Sequence, residues 1–333
     1  MSQAAPLSRD PDLWIEDGNL VVQAAPRLFR VHRGVLASNS GFFRGMVDFP
    51  ESRVQNTCDG VPLITLHDDD ARDVAQFLKA IYIFDYFRPP PAKTTFEILE
   101  GVLRIAHKYD APALRRCALQ HLAISYVTSY HDLKDIPIRS YRVDDEEEFS
   151  THEVIATINL AQEVHATWLL PTAYYYAGAL FTAAELDEAS DWCGRQRQLS
   201  HKDILTCLSG IAMLRQAFPL SLLISTSCGT DACLRTRLDA FDAKDIAGFA
   251  TCPLTFYTAS IVGEDGTLNG SDFMGVCHDC LAQLTVEYLE WLRRAWIGLP
   301  SLFGLPDWQD LAQMKQQDLE LQKLPSTGIG MFD

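Results

Sequence analysis

Cysteine is the residue type in this chain whose spacing points most directly to chemistry. Cys277 and Cys280 form a Cys-x2-Cys pair, Cys228 and Cys233 form a second close pair, and Cys252 lies between the pairs. Four thiolates can hold zinc tetrahedrally, and such a site stabilises a helical domain. Packing of reduced thiols in a core is the simpler interpretation. The sequence therefore predicts no cofactor, and it leaves a structural zinc site at Cys228, Cys233, Cys277 and Cys280 as the alternative.

Motifs of the common enzyme classes are missing from the sequence. It contains no Gly-x-x-x-x-Gly-Lys phosphate loop, no Gly-x-Gly-x-x-Gly, no His-Glu-x-x-His and no Gly-x-Ser-x-Gly. His32 therefore has no nucleophile motif beside it, and we expect it to serve the structure. The sequence predicts that the protein is not an enzyme, and a hydrolase whose residues assemble only in the fold is the alternative class.

The composition is that of a folded protein with an acidic surface. The 333 residues are 47% hydrophobic and 22% charged, and 28 basic against 44 acidic side chains give a net charge of −16. Such a surface repels phosphate backbones and anionic lipids, so we expect neither nucleic acid nor membrane as a partner. The first ten residues lack the basic start and apolar core of a secretory signal. We expect an intracellular protein, cytoplasmic or nuclear, with reduced cysteines.

The first third of the chain mixes strand and helix patterns. Residues 13–16 and 20–23 flank the turn-forming triplet Asp17-Gly18-Asn19, which predicts a hairpin. A further strand is predicted at residues 61–66. The helix after Asp70 has apolar residues at spacings of three and four, and two more helices follow. This part of the chain is therefore predicted to have a small sheet flanked by helices.

The second half has a helical pattern and almost no strand-like alternation. It follows an acidic run at residues 144–148, which we interpret as part of a solvated linker. The predicted helices cover residues 154–165, 168–186, 202–218, 276–296 and 307–323. The overall fold class is thus α+β, with an all-α carboxy-terminal domain.

One block of residues decides the family resemblance. Its key positions are an aromatic residue, His-Arg, a leucine, a serine and a second aromatic residue: Phe29, His32, Arg33, Leu36, Ser40 and Phe43. This block resembles the signature of BTB/POZ domains, and the resemblance continues at residues 64–66, 77–82 and 103–109. The sequence of residues 14–19 is similar to sequences in the branch of the family expanded in basidiomycete fungi. In that branch a helical second half follows.

The resemblance implies a module for protein–protein interaction that forms homodimers through its first strand and first helices. In this chain the implied interface is Leu13, Trp14, Ile15, Arg33, Val35, Phe42 and Met46. The family's charged pair corresponds to Asp12 and Arg33, which we expect to be partly buried together. The resemblance also implies that His32 starts a helix near the core, where its ring nitrogens bond to backbone groups.

Some members of the family recruit a cullin-type ubiquitin ligase scaffold. The residues in the corresponding region are Phe84, Asp85 and Tyr86, which combine aromatic and acidic side chains and which we take as the candidate partner surface. The predicted partners are a second copy of the chain and unidentified proteins, with a cullin among the candidates.

The predicted domain organisation has five parts. A tail covers residues 1–11, the BTB/POZ domain residues 12–130, and the acidic linker residues 131–150. The helical domain follows at residues 151–324, and a second tail ends the chain at residues 325–333.

Overall fold

The structure is a computed structural model, and it describes residues 6–47, 56–133, 150–192, 194–216, 230–243, 254 and 276–320. These residues divide into two compact units. The amino-terminal unit contains the described residues up to Leu122 and those from Gln313 onward, and the helical unit contains those between. The predicted acidic run at residues 144–148 and the tail at residues 325–333 lie outside the described residues.

The amino-terminal unit contains a five-stranded sheet. Its strands, in chain order, are β1 (Ser8–Trp14), β2 (Leu20–Ala24), β3 (Arg27–Val31), β4 (Thr57–Cys58) and β5 (Val61–Thr65). The spatial order is β1-β3-β2-β5-β4, with β1 parallel to β3 and β2 antiparallel to β3.

The predicted hairpin between residues 13–16 and 20–23 is wrong in one respect. The turn exists, since the Gly18 amide donates to the Ile15 carbonyl at 3.0 Å, and the chain reverses direction there. However, β3 lies between β1 and β2 and pairs with both. A turn signal predicts the reversal but not which strand becomes the neighbour.

Strand β1 corrects the predicted tail at residues 1–11, because the sheet already begins at Ser8. The Ser8 amide donates to the Pro26 carbonyl at 2.9 Å, and the buried Asp10 pairs with Arg27 at 3.1 Å. Pro11 lies in this edge strand, where its missing amide donor costs no hydrogen bond in the sheet interior.

The described helices up to residue 125 are α1 (Arg33–Asn39), α2 (Gly41–Val47), α3 (Ala71–Tyr82), α4 (Phe96–Lys108) and α5 (Pro112–Ser125). Asp70 caps α3 by accepting from the Arg72 amide at 2.8 Å. A Cβ at Gly41 would lie 1.9 Å from the Asp110 Oδ2 atom, so a larger residue at the start of α2 would displace the Asp110 side chain. The core between helices and sheet includes Leu13, Phe29, Leu36, Phe43 and Phe77.

The helical unit confirms the predicted helical second half. Its elements are α6 (Tyr130–Leu133), α7 (Thr151–Glu163), a 3-10 turn (Thr167–Leu169), α8 (Leu170–Leu180), α9 (Ala183–Asp187), α10 (His201–Gln216), α11 (Asp231–Ala243) and α12 (His278–Leu302), and α13 (Trp308–Leu319) begins in this unit. The sequence missed a short hairpin, β6 (Ser190–Trp192) with β7 (Arg195–Arg197). The predicted helix at 168–186 is divided because Thr182 forms a capping box with Glu185 and starts α9.

An aromatic contact joins the last two helices of the helical unit. The indole rings of Trp296 and Trp308 stack at 4.6 Å between centroids and 12° between planes. The Trp308 Nε1 atom donates to the Trp296 carbonyl at 2.7 Å. Between them the chain turns at Gly304, which has a φ of +67°.

The structure moves the predicted domain boundary at residue 130 to Leu122–Ala123, within α5. The following residues pack in the helical unit: the buried Tyr126 donates to Thr157 at 3.2 Å, and the Val127 carbonyl accepts from Thr172 at 3.3 Å. Residues 123–130 therefore belong with the helices that follow them.

Among the described residues, no helix combines the length and the apolar character that crossing a membrane requires.

Candidate interaction surface and cysteine cluster

His32 stands between the strand β3 and the helix α1, where it is the residue before the first helical turn. Its amide donates to the Tyr82 hydroxyl at 2.7 Å, and its ring stacks on the Tyr82 ring at 6.1 Å. Its Nε2 atom lies 3.2 Å from an oxygen of the exposed Asp17. The ring therefore pairs with a carboxylate, which corrects the expectation that its nitrogens bond to backbone groups.

The remaining signature residues hold α1 and α2 against the core. Phe29 and Leu36 are completely buried. The Ser40 hydroxyl donates to the Tyr109 carbonyl and accepts from the Phe43 amide at 3.2 Å. The Phe43 ring stacks on Tyr109 at 5.4 Å. These contacts explain why the sequence needs a serine followed by an aromatic residue here.

The expected pair between Asp12 and Arg33 does not form. Asp12 accepts from Lys79 at 2.7 Å, and this hydrogen bond raises the pKa of the Lys79 ammonium group. Arg33 donates to the Met46 carbonyl at 2.6 Å. Strand β1 places Asp12 beside α3, so the nearest cation is a lysine 67 residues away in sequence, a distance at which the sequence carries no pairing signal.

The predicted dimer residues differ in their exposure. Leu13 is completely buried in the core, which removes it from any surface. Phe42 is 47% exposed and packs by its edge on Phe43 and Tyr109. The other five predicted residues are half-buried: Trp14, Ile15, Arg33, Val35 and Met46.

A groove of about 370 Å³ lies beside these residues in the amino-terminal unit. Helices α1 and α2 contribute Arg33 and Met46 to it, and strand β5 contributes Ile64. Two residues of the predicted interface thus share one concave surface. The groove and the exposed Phe42 ring make this side of the unit the strongest candidate for contact with another protein.

The segment after α3 presents a single exposed aromatic ring. Phe84 is 90% exposed. Its neighbours are held in place: Asp85 pairs with Arg88 at 3.0 Å, and the Tyr86 hydroxyl bonds to the Gln76 side chain. The predicted surface of Phe84, Asp85 and Tyr86 therefore reduces to Phe84 and Asp85, because the Tyr86 hydroxyl is engaged within the unit.

Three of the four predicted metal ligands come together in the helical unit. The Sγ atoms of Cys233, Cys277 and Cys280 all lie within 4.8 Å of one another. Cys228, the fourth predicted ligand, lies outside the described residues, as does Cys252. Cys277 occupies the position just before α12, without a capping bond from its side chain, and Cys280 lies in the first turn of that helix.

A second cavity bears on the hydrolase alternative. It measures about 310 Å³ and is lined by His107, Asp110 and several charged residues. Asp318 in its wall pairs with Arg115 at 2.7 Å. Its described lining residues include carboxylates and an imidazole but no serine, threonine, cysteine or lysine side chain.

A comparison with protein-family models decides the nature of the amino-terminal unit. Residues 16–124 match the BTB/POZ domain. The chain thus carries a BTB/POZ domain, in agreement with the resemblance of its signature residues. No curated protein and no solved structure matches the chain. The resemblance at residues 77–82 includes Lys79 and Tyr82, but the sequence did not predict their partners Asp12 and His32, which lie far away in the chain.

Proposed function

We propose that the protein is an interaction scaffold that self-associates through its BTB/POZ domain and recruits other proteins. The match of residues 16–124 supports this, because BTB/POZ domains mediate self-association and protein binding. The observation that carries the proposal is the 47% exposure of Phe42, an aromatic ring that the family resemblance assigns to the dimer interface.

The proposed occupant of this face is a second copy of the chain. A twofold contact brings the same residues of both copies together, so one exposed ring meets its own counterpart. The contact would then remove water from the apolar side chains of both copies, which are Phe42, Val35 and Met46.

The helices contribute more to this contact than the edge strand β1. Pro11 lacks an amide donor, and the register of β1 against β3 is irregular between Arg9 and Trp14. Both features disfavour the addition of a second strand along the middle of β1. The half-buried Trp14 and Ile15 lie at the end of this strand and border the proposed contact.

Light scattering of the full chain tests self-association. The wild type is expected to have the mass of two chains. Phe42→Asp is expected to have the mass of one chain, since the twofold contact would bury two carboxylates side by side. Phe84→Asp is the matched control, because it introduces the same charge in place of a phenylalanine that is more exposed than Phe42. This variant should remain a dimer.

Two results would contradict the proposal. One is a wild-type mass of a single chain across the whole accessible concentration range. The other is a Phe42→Asp variant that stays dimeric with an unchanged circular dichroism spectrum.

A second candidate function is that of adaptor for a cullin-type ubiquitin ligase. The supporting observation is Phe84, which stands almost fully exposed beside the acidic Asp85. An aromatic side chain held out in this way is a typical anchor for a partner's pocket. The role would use a surface different from the dimer face.

Binding of a purified cullin amino-terminal domain, measured by interferometry, tests this second function. Phe84→Ala is expected to weaken binding at least about tenfold, which corresponds to about 1.4 kcal/mol. Phe42→Asp serves as the control and should bind with unchanged affinity per chain. Absence of binding to the wild-type protein would exclude the adaptor role and leave self-association untouched.

A further inference from the structure

We propose that Cys233, Cys277 and Cys280 are thiolate ligands of a structural zinc ion in the helical unit. This site is separate from the BTB/POZ domain and from the proposed contacts with other proteins. All three cysteines belong to residues that the structure describes.

The distances between the sulfur atoms fit a tetrahedral zinc site. The Cys233 and Cys277 Sγ atoms are 3.8 Å apart. Zinc–sulfur bonds of about 2.3 Å at tetrahedral angles place neighbouring sulfurs about 3.8 Å apart. A disulfide needs about 2.05 Å between the sulfurs, so the observed distance does not match a bond between these two cysteines.

The secondary structure explains how residues distant in sequence supply the ligands. Cys277 and Cys280 are three residues apart at the start of α12, and this spacing places both side chains on one face of the helix. Cys233 lies in the first turn of α11, 44 residues before Cys277 in the sequence. Two helix starts therefore meet at one point.

Backbone groups at the start of α12 lie close to the sulfur atoms. The Cys277 amide donates to the Cys233 Sγ atom at 3.4 Å. The amino-terminal end of a helix carries partial positive charge, and α12 is 25 residues long. Three thiolates and one Zn²⁺ leave one negative charge, which this helix end stabilises.

Burial suits a structural site. Cys233 and Cys280 are buried, whereas Cys277 is partly exposed and offers the ion a route to the cluster. The side chains of His278 and Asp279, between the two cysteines of α12, are 95% and 87% exposed. The cluster thus presents sulfur to the ion, which favours zinc over the harder calcium and magnesium ions.

Zinc binding releases protons in a defined way. Each thiol gives its proton to solvent as its sulfur forms a bond to the metal, and no electron is transferred. The sequence names Cys228 as a fourth ligand, and that prediction stays separate from the three-sulfur site proposed here. The number of thiolates that bind the metal is therefore to be measured.

The test uses the full chain, purified with a phosphine reductant and without chelator. Elemental analysis is expected to find about one zinc ion per chain. Replacement by Co²⁺ is expected to give a sulfur-to-cobalt charge-transfer band and the strong visible bands of tetrahedral cobalt. The intensity of the charge-transfer band counts the thiolates, and Cys228→Ser lowers it only if Cys228 is the fourth ligand.

Matched cysteine variants locate the site. Cys277→Ser and Cys280→Ser are expected to lose the cobalt bands. Cys58→Ser, half-buried like Cys277, and Cys207→Ser, buried like Cys280, should keep them. Cys277→His guards against loss of folding, since its imidazole can still bind the metal and should give a weaker charge-transfer band with a native circular dichroism spectrum.

Three outcomes would overturn the proposal. The first is a wild-type chain that contains no zinc and shows no cobalt bands after titration with Co²⁺. The second is a Cys277→Ser variant with unchanged cobalt bands. The third is a metal-free chain with a disulfide bond between Cys233 and Cys277. Such a bond lowers the intact mass by two hydrogen atoms, and a reductant restores them.

Discussion

In the amino-terminal unit, Arg104 lies between two buried carboxylates, at 2.8 Å from Asp73 and 2.9 Å from Glu100. In the helical unit, by contrast, the buried Asp203 accepts from neutral groups, the Tyr174 hydroxyl at 2.7 Å and the Gln162 amide at 3.0 Å. Asp73 and Glu100 thus face a cation, whereas Asp203 faces neutral hydrogen-bond donors.

The difference determines how each unit responds to the loss of one side chain. Arg104 serves two carboxylates at once, so its removal affects both. Asp203 has a further donor, the Ser200 hydroxyl at 2.5 Å, so loss of one donor leaves others. Burial, followed by the hydrogen bond to Asp203, raises the pKa of the Tyr174 hydroxyl, which therefore stays a donor at physiological pH.

The largest expected effect comes from Arg104→Met, which keeps an aliphatic side chain and removes the cation. Two buried carboxylates would lose the guanidinium between them, and we expect a loss of about 3–5 kcal/mol in the free energy of unfolding. Urea denaturation followed by circular dichroism measures this change.

Arg72→Met is the control for this prediction. Arg72 pairs with Asp70 at 2.8 Å at the more exposed start of α3, where an ion pair contributes at most about 1 kcal/mol. Equal losses in the two variants would show that the cation at Arg104 has no special role.

Tyr174→Phe is expected to have an intermediate effect on the helical unit. It removes one hydrogen bond to a carboxylate and leaves the Gln162 and Ser200 donors, so we expect a loss of about 1.5–3 kcal/mol in unfolding free energy. Tyr130→Phe is the control, because no described residue forms a hydrogen bond with the buried Tyr130 hydroxyl. If Tyr130→Phe lost more unfolding free energy than Tyr174→Phe, the hydrogen bond from Tyr174 to Asp203 would not be the stabilising contact.

The smallest effect is a change in pH dependence at His121, a completely buried ring in the amino-terminal unit. Its Nε2 atom bonds to the Arg88 carbonyl at 2.8 Å, and no described residue bonds to its Nδ1 atom. Burial lowers the pKa of this imidazole from its ordinary 6.5. The unfolded chain therefore binds the proton first, and stability falls as the pH drops below about 6.5 toward the lower folded pKa.

His121→Gln removes this dependence, because a glutamine amide can bond to the Arg88 carbonyl but does not titrate. Melting temperatures of the two proteins between about pH 5 and about pH 8 provide the measurement. The wild-type curve should fall more steeply on the acid side, with little difference above pH 7. Parallel curves would refute the role of His121.

The parts of the fold that the sequence predicted are those determined by local patterns. The turn at residues 17–19, the apolar face of α3 and the helical pattern of the second half all depend on residues within a few positions of each other. The neighbour of β1 and the partner of Asp12 depend on contacts that span the domain. For this reason the hairpin and the Asp12–Arg33 pair were wrong.

The cysteine cluster lies between these two cases. The Cys-x2-Cys spacing at Cys277 and Cys280 can be read from the sequence, since it reflects one turn of a helix. The approach of Cys233 requires two helix starts to meet, and this became visible only in the structure. The pair of Arg104 with Glu100 has the i,i+4 spacing of a helix, but its pair with Asp73, 31 residues away, had no sequence signal.

The stacked indoles of Trp296 and Trp308 give the protein an intrinsic spectroscopic signal. Five of its six tryptophans follow residue 122, and Trp14 is the exception. Two indoles in van der Waals contact share their excited states, so their ultraviolet circular dichroism differs from that of separate rings. Unfolding of the helical region abolishes this coupled signal, which allows its melting to be followed in the intact chain without attaching a dye.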